Sequence, residues 1–351
     1  MACGSRGQRR NDGPTRDRDA VSRRSAPCQR AGSGGDQRQG AGTTSVVSNP
    51  GRSGECSGDG GSARRGCVGP AHHRSACPRV PVVVVAQKQA GSPLLAPDEP
   101  APFELLEVDG PRPLVLACDH ASNRVPRSLH GLGLNGDSLT AHIAWDIGAG
   151  AVTRLLSERL QASAVLANYS RLVIDLNRDL NDPSAFPAIS DGVLIAANLD
   201  LSVTAKAERT RALFEAYHDA LRGVIKAQTT TERTPVLICL HSFTPYVHGV
   251  WRPWQVGILW HDDPRLAVPL MTALREAGDL IVGDNEPYSG RHSADFTVDH
   301  HAETLGLAYA GIEIRQDLID TESGQQRMAD RLAAVLEVVL QDERLFRPFA
   351  G

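Results

Sequence analysis

The chain has 351 residues, with 37 Lys and Arg against 41 Asp and Glu, and its net charge of −4 conceals an uneven distribution. Residues 1–80 hold 14 basic and 6 acidic side chains, which leaves 23 and 35 for the remainder, a basic tail of +8 on an acidic body of −12. No apolar run approaches the roughly 20 residues of a bilayer span, and none follows Met1, so neither a membrane protein nor a secretory leader is expected.

Residues 1–95 lack Phe, Trp and Tyr and are dense in Arg, Gly, Ser, Gln and Pro. Such a stretch buries too little apolar surface to offset its ordering entropy, and a disordered tail is expected. Arg without aromatic residues among it weighs against a nucleic-acid-binding tail and favours solvated spacer or sequence upstream of the native start. Cys3, Cys28, Cys56, Cys67 and Cys77 lie in the tail without zinc-finger spacing, while Cys118 and Cys239 sit in strand-like runs. That usage fits a reduced, cytoplasmic setting.

Beyond the tail, residues 103–108 read as an edge strand and 114–118 as the first core strand. A helix with apolar residues at helical spacing is expected over 139–160, capped at Asp137 and Ser138. Strands follow at 164–167 and 172–176. The Pro-, Asn- and Asp-rich residues 179–200 are too long for an ordinary connection and read as a functional loop. A helix at 204–226 precedes a buried strand that runs from Pro235 to His241, then a loop with Tyr246, His248, Trp251 and Trp254. The remainder alternates strand 256–260, helix 264–277, strand 280–282, turn 285–290, helix 296–307, strand 308–314 and helix 323–340. Strands alternating with helices in this way predict one three-layer α/β domain over residues 96–351, with a mostly parallel, doubly wound sheet.

Ligands of open α/β sheets bind at the carboxyl edge of the strands. Two buried strands end there on histidines, in Asp119-His120-Ala-Ser-Asn123 and in Leu240-His241-Ser242. His120, Asp146 and His241 form a candidate metal site, because catalytic zinc commonly takes two His and one carboxylate and leaves a position for water. Asp119 and Asn123 compete with Asp146 for the third place. A Cys118/His120/Cys239/His241 set is a rival, since each Cys shares a strand face with its His. The run Ser170-Arg171-Leu-Val-Ile-Asp175-Leu-Asn177-Arg178 offers two arginines suited to grip a carboxylate and polarise a carbonyl. Glu313 and Arg315 alternate with Ile312 and Ile314 on one strand face, and a carboxylate beside an activated water is the usual general base. His292 and Asp299-His300-His301 are further candidates to ligate or orient.

Taken together, Asp119-His120-Ala-Ser-Asn123, Ala144-Trp145-Asp146, Ser170-Arg171 through Asn177-Arg178, Leu240-His241-Ser242, Asn285 through Gly290 and Ile312-Glu313-Ile314 resemble the N-formylglutamate amidohydrolase family. More distantly, the chain is similar to the aspartoacylase and succinylglutamate desuccinylase group and to zinc carboxypeptidases. The resemblance implies a zinc-dependent hydrolase of linear amide bonds in N-acylated amino acids, such as N-formylglutamate, in amino-acid catabolism. It places Zn²⁺ on His120 and His241, with Asp146 taken as the third ligand, and makes Glu313 the base, with Arg171 or Arg178 stabilising the oxyanion. Arg171, Asn177, Arg178, Asn285, Tyr288 and Arg315 are then the expected substrate contacts. Zinc carboxypeptidases carry Glu three residues after the first His, where this chain has Asn123. The competing expectation is a metal-free binding module for a small carboxylate ligand.

Overall fold

The computed structural model describes residues 82–85, 94–291 and 295–349. Its strands are β1 (Val82–Val85), β2 (Phe103–Glu107), β3 (Leu114–Cys118), β4 (Ser163–Ala167), β5 (Ile189–Ser190), β6 (Val193–Leu194), β7 (Val236–Phe243), β8 (Tyr246–Val247), β9 (Val250–Trp251), β10 (Val256–Leu259), β11 (Val282–Asp284) and β12 (Tyr309–Arg315). Its helices are α1 (Gly136–Thr140), α2 (Ala149–Leu160), α3 (Val203–Arg209), α4 (Ala216–Gln228), α5 (Pro264–Glu276), α6 (Phe296–His301) and α7 (Glu322–Val339).

Eight strands form the main sheet in the order β1-β2-β4-β3-β7-β12-β10-β11. The central four, β4-β3-β7-β12, run parallel, and antiparallel pairings flank them. Helices on both faces make the expected three layers. Alternation along the strands divides the core in two: Leu114, Leu116, Ile238, Leu240 and Ile312 pack with α2, α5 and α7, while Val115, Ala117, Leu237, Cys239 and Tyr309 pack with α4 and α6. Burial on both faces is why β3 and β7 read as unbroken apolar runs.

Several expectations need correcting. The tail lies outside the described residues except for β1, which pairs antiparallel with β2; residues 103–108 are therefore no edge strand. The helix expected over 139–160 is broken between Thr140 and Ala149. Gly148 adopts φ +81°, and a Cβ there would lie 2.2 Å from the Ile319 carbonyl oxygen, so the chain enters α2 by a turn open only to glycine. α1 is capped by Asn135, whose side chain accepts from the Ser138 N–H, rather than by Asp137 or Ser138.

Residues 172–176 form turns instead of a strand. The Leu172 N–H donates to Ser170 Oγ, and the Asn177 N–H donates to Asp175 Oδ1, so local side-chain bonds replace a strand ladder. Burial of Leu172, Val173 and Ile174 explains their apolar character. The helix expected over 204–226 spans α3 and α4 through a π-helical stretch at Thr210–Glu215.

Candidate active site

Asp119, His120, His241 and Glu313 sit where β3, β7 and β12 end or just beyond. β7 and β12 are parallel neighbours with His241 opposite Glu313 in the register. On that face the apolar alternation of both strands gives way to these two polar residues, which brings them side by side. Asp146 arrives from the non-helical segment before α2. Its N–H donates to the His120 carbonyl, and its Oδ2 accepts from the Ser242 N–H at 3.3 Å, fixing the carboxylate between the histidines.

The Nδ1 atoms of His241 and His120 lie 2.9 and 3.4 Å from Asp146 Oδ2. One potential ligand atom from each of these residues falls within 4.8 Å of the others, and all three residues are buried. The far nitrogens face carboxylates as well: His120 Nε2 is 2.8 Å from Asp175 Oδ1, and His241 Nε2 is 3.3 Å from Asp119 Oδ2. The second pair lacks hydrogen-bond alignment, so its attraction is electrostatic. An imidazole oriented by a carboxylate on one nitrogen presents the other to a metal. Asp119 thus supports His241 from behind and is itself held by the Thr297 hydroxyl at 2.9 Å.

The electrostatics are those of a site built for a cation. Asp119, Asp146, Asp175 and Glu313 are all buried, and Arg171 is the cation beside them, donating to Asp175 Oδ2 from Nε and Nη2 at 3.0 and 2.7 Å. Burial opposes charge on His241, yet Asp119 and Asp146 hold its pKa well above the ordinary value. Asp119 is lowered to about 2, with burial outweighed by His241 and His120. Glu313 behaves in the opposite sense: burial, reinforced by the Asp146 charge, raises it to about 7 against the pull of His241. Its Oε2 is buried and has no hydrogen-bond partner among the described residues. These features fit a divalent metal at His120, Asp146 and His241 with a basic carboxylate at its side.

A cavity of about 580 Å³ opens on this cluster. Arg171, Asn177, Arg178, Asn285 and Tyr288 line it together with Ser242 and Asp295. Arg315 does not line it; its guanidinium is bound to Asp317 and to the carbonyls of Arg252, Pro253 and Trp254, where it braces the chain after β9. Asn285 contributes to the wall, but its Oδ1 accepts from the Trp260 and Gly290 N–H groups and so shapes the turn. Asn177 Oδ1 likewise accepts from the Thr297 N–H at the start of α6. The turn approaches the sheet because β10 has Gly257 opposite Glu313; a Cβ at Gly257 would lie 2.0 Å from the Glu286 carbonyl oxygen.

The rival cysteine set is not brought together. Cys118 packs in one layer and Cys239 in the other, both fully buried and free, and burial pushes the Cys118 thiol up to about 12. His301 pairs with His218 across α6 and α4, and His300 stacks on Phe296, apart from the candidate metal set. His292 lies outside the described residues.

The sequence pattern of the N-formylglutamate amidohydrolase family matches residues 112–320. The chain belongs to this family. Its members are hydrolases acting on amide bonds. A gene product of Agrobacterium tumefaciens of known structure is 36% identical, with a TM-score of 0.68 over 71% of this chain and 98% of that one. The N-formylglutamate amidohydrolase of Ralstonia eutropha shares the fold at 20% identity, with a TM-score of 0.53 over 70% of this chain and 99% of that one. No curated protein matches the sequence.

Asp175 is the residue of the candidate site that the sequence leaves least visible. It stands inside the Arg171–Arg178 motif, but only the folded chain brings it to His120, 55 residues earlier.

Proposed function

We propose that this protein is a zinc-dependent hydrolase of N-acylated amino acids, with N-formylglutamate the first substrate to test. The observation that carries the reading is the buried His120–Asp146–His241 set beside a Glu313 oxygen that has no hydrogen-bond partner among the described residues. Zinc bound by those three residues would supply Lewis acidity, acidifying water and polarising the acyl carbonyl.

Glu313, raised to about 7 by burial, is poised near neutrality to take a proton from the attacking water and pass it to the departing amine nitrogen. Arg171 carries a fixed positive charge at the cavity wall and offsets the negative charge that develops on the acyl oxygen. Arg178, on the same wall, takes the substrate carboxylate. Asn177 holds α6 against this wall, and Tyr288 presents a phenol whose oxygen accepts from Arg252 Nη1 at 3.0 Å, leaving its O–H to donate into the cavity. Water adds across the acyl C–N bond, and a carboxylate and an amine leave.

Among the described residues no helix is long and apolar enough to cross a membrane.

The test is elemental analysis of the purified protein together with formate release from N-formylglutamate. Near-stoichiometric zinc and turnover are expected. Glu313→Gln should keep the zinc and lose turnover by 10²- to 10⁴-fold, about the contribution of a positioned base. A metal-free protein that binds the compound without cleaving it would establish the binding-module reading instead.

A further inference from the structure

A second cavity of about 510 Å³ adjoins the first, and Arg171, Arg178 and Tyr288 line both. Apart from these three and Asp175, its walls come from residues that the proposed hydrolysis does not use. The β5–β6 and β8–β9 hairpins each close with a two-residue loop, Asp191-Gly192 and His248-Gly249. Both loops have positive φ at both positions, 44° and 77° in one, 48° and 79° in the other, as a type I′ turn requires. Each hairpin presents its first turn residue, Asp191 or His248, to the same cavity. His142, also on the wall, reaches Asp191 at 3.3 Å. Ser184, Ser190 and Thr244 add hydroxyls.

At about 580 Å³ the first cavity already lies in the range that encloses a drug-sized ligand. One acylated amino acid leaves the second cavity unused. Building on the hydrolase reading above, we infer that the second cavity is a subsite for a residue joined to the carboxyl side of the substrate, so that the substrate class is N-acylated peptides of two or more residues with polar side chains. The shared arginines mark the crossing point. A carboxyl group held by Arg178 in a single amino acid becomes, in a peptide, an amide carbonyl at the boundary, and the next residue enters a wall of hydroxyls and imidazoles. The hydrolytic step is unchanged: water adds across the N-terminal acyl C–N bond, giving formate and the free dipeptide from a formyl substrate.

The experiment compares kcat/KM of the zinc-loaded full chain for N-formylglutamate and N-formylglutamyl-glutamine, with the released amine identified by mass. A preference for the dipeptide of tenfold or more, with free glutamyl-glutamine as product, is the expected result. Ser190→Trp, which sets an indole on the wall of the second cavity and narrows it, should then bring the ratio to within about threefold of parity. Equal or better hydrolysis of N-formylglutamate by the unaltered protein would overturn the subsite and leave the hydrolase reading standing. A preference that Ser190→Trp leaves untouched would also overturn the subsite. Cleavage of neither compound by a zinc-bearing protein would overturn both.

Discussion

The molecule contains His–Asp pairs in two settings, and the difference between them shows what burial does. His120 meets Asp175 at 2.8 Å with both side chains at most 5% exposed, whereas His142 meets Asp191 at 3.3 Å with 36% and 43% exposed. The chemistry of the partners is the same. At the sheet edge, however, the charges are removed from water, so a lost partner leaves an uncompensated ion, and such breaks commonly cost 3–5 kcal/mol. At the hairpin tip water and salt screen the pair, and its worth falls to about 0–1 kcal/mol.

Changes at the buried pairs should have the largest effects. Asp146→Ala removes the residue that both histidines face, and zinc content should fall to background with turnover, as read by elemental analysis and formate release. Asp175→Asn keeps the shape but removes the charge behind His120 and one of the two carboxylates that Arg171 pairs with, the other being Asp146. Metal affinity should drop about 10- to 100-fold, the usual effect of losing such a support, measured by competition with a chelator. A drop confined to kcat with zinc affinity unchanged would show that Asp175 serves Arg171 alone.

The buried His218–His301 pair extends the comparison to pH. Burial lowers His218 to about 4, and burial with the neighbouring His218 lowers His301 to about 3. His218 donates from Nε2 to the Leu176 carbonyl, so its Nδ1 accepts from His301. Both rings are therefore neutral in the fold. A base whose pKa is depressed by folding contributes stability above its unfolded value of about 6.5 and loses it as pH falls toward the folded value. Stability to urea should thus decline between about pH 6.5 and 3. His218→Gln should flatten part of that decline, by on the order of 3 kcal/mol at its acid end. An unchanged slope would show that the pair titrates normally.

The exposed pair should give the smallest effect. Asp191→Asn keeps a residue suited to positive φ and deletes the charge, and stability should shift by less than about 0.5 kcal/mol. Chemical denaturation that placed the loss above 2 kcal/mol would mean that the hairpin is far better shielded from solvent than its exposure indicates.

Composition and pattern alone determined much of this protein. The apolar runs at β3 and β7 and the polar residues that end them identify a carboxyl-edge site, because a strand buried on both faces can turn polar only where it leaves the core. His120, His241 and Glu313 were legible for that reason. What the tertiary structure decided was the break at Gly148 that turns Asp146 inward, the turns that carry Asp175 to His120, and the diversion of Arg315 to backbone carbonyls. These depend on contacts that span from 26 residues, His120 to Asp146, up to 171, Gly148 to Ile319 (319 − 148). Local periodicity has no term for them, since the same aspartate can cap a helix, pair with arginine or face a histidine according to which surface the fold sets opposite.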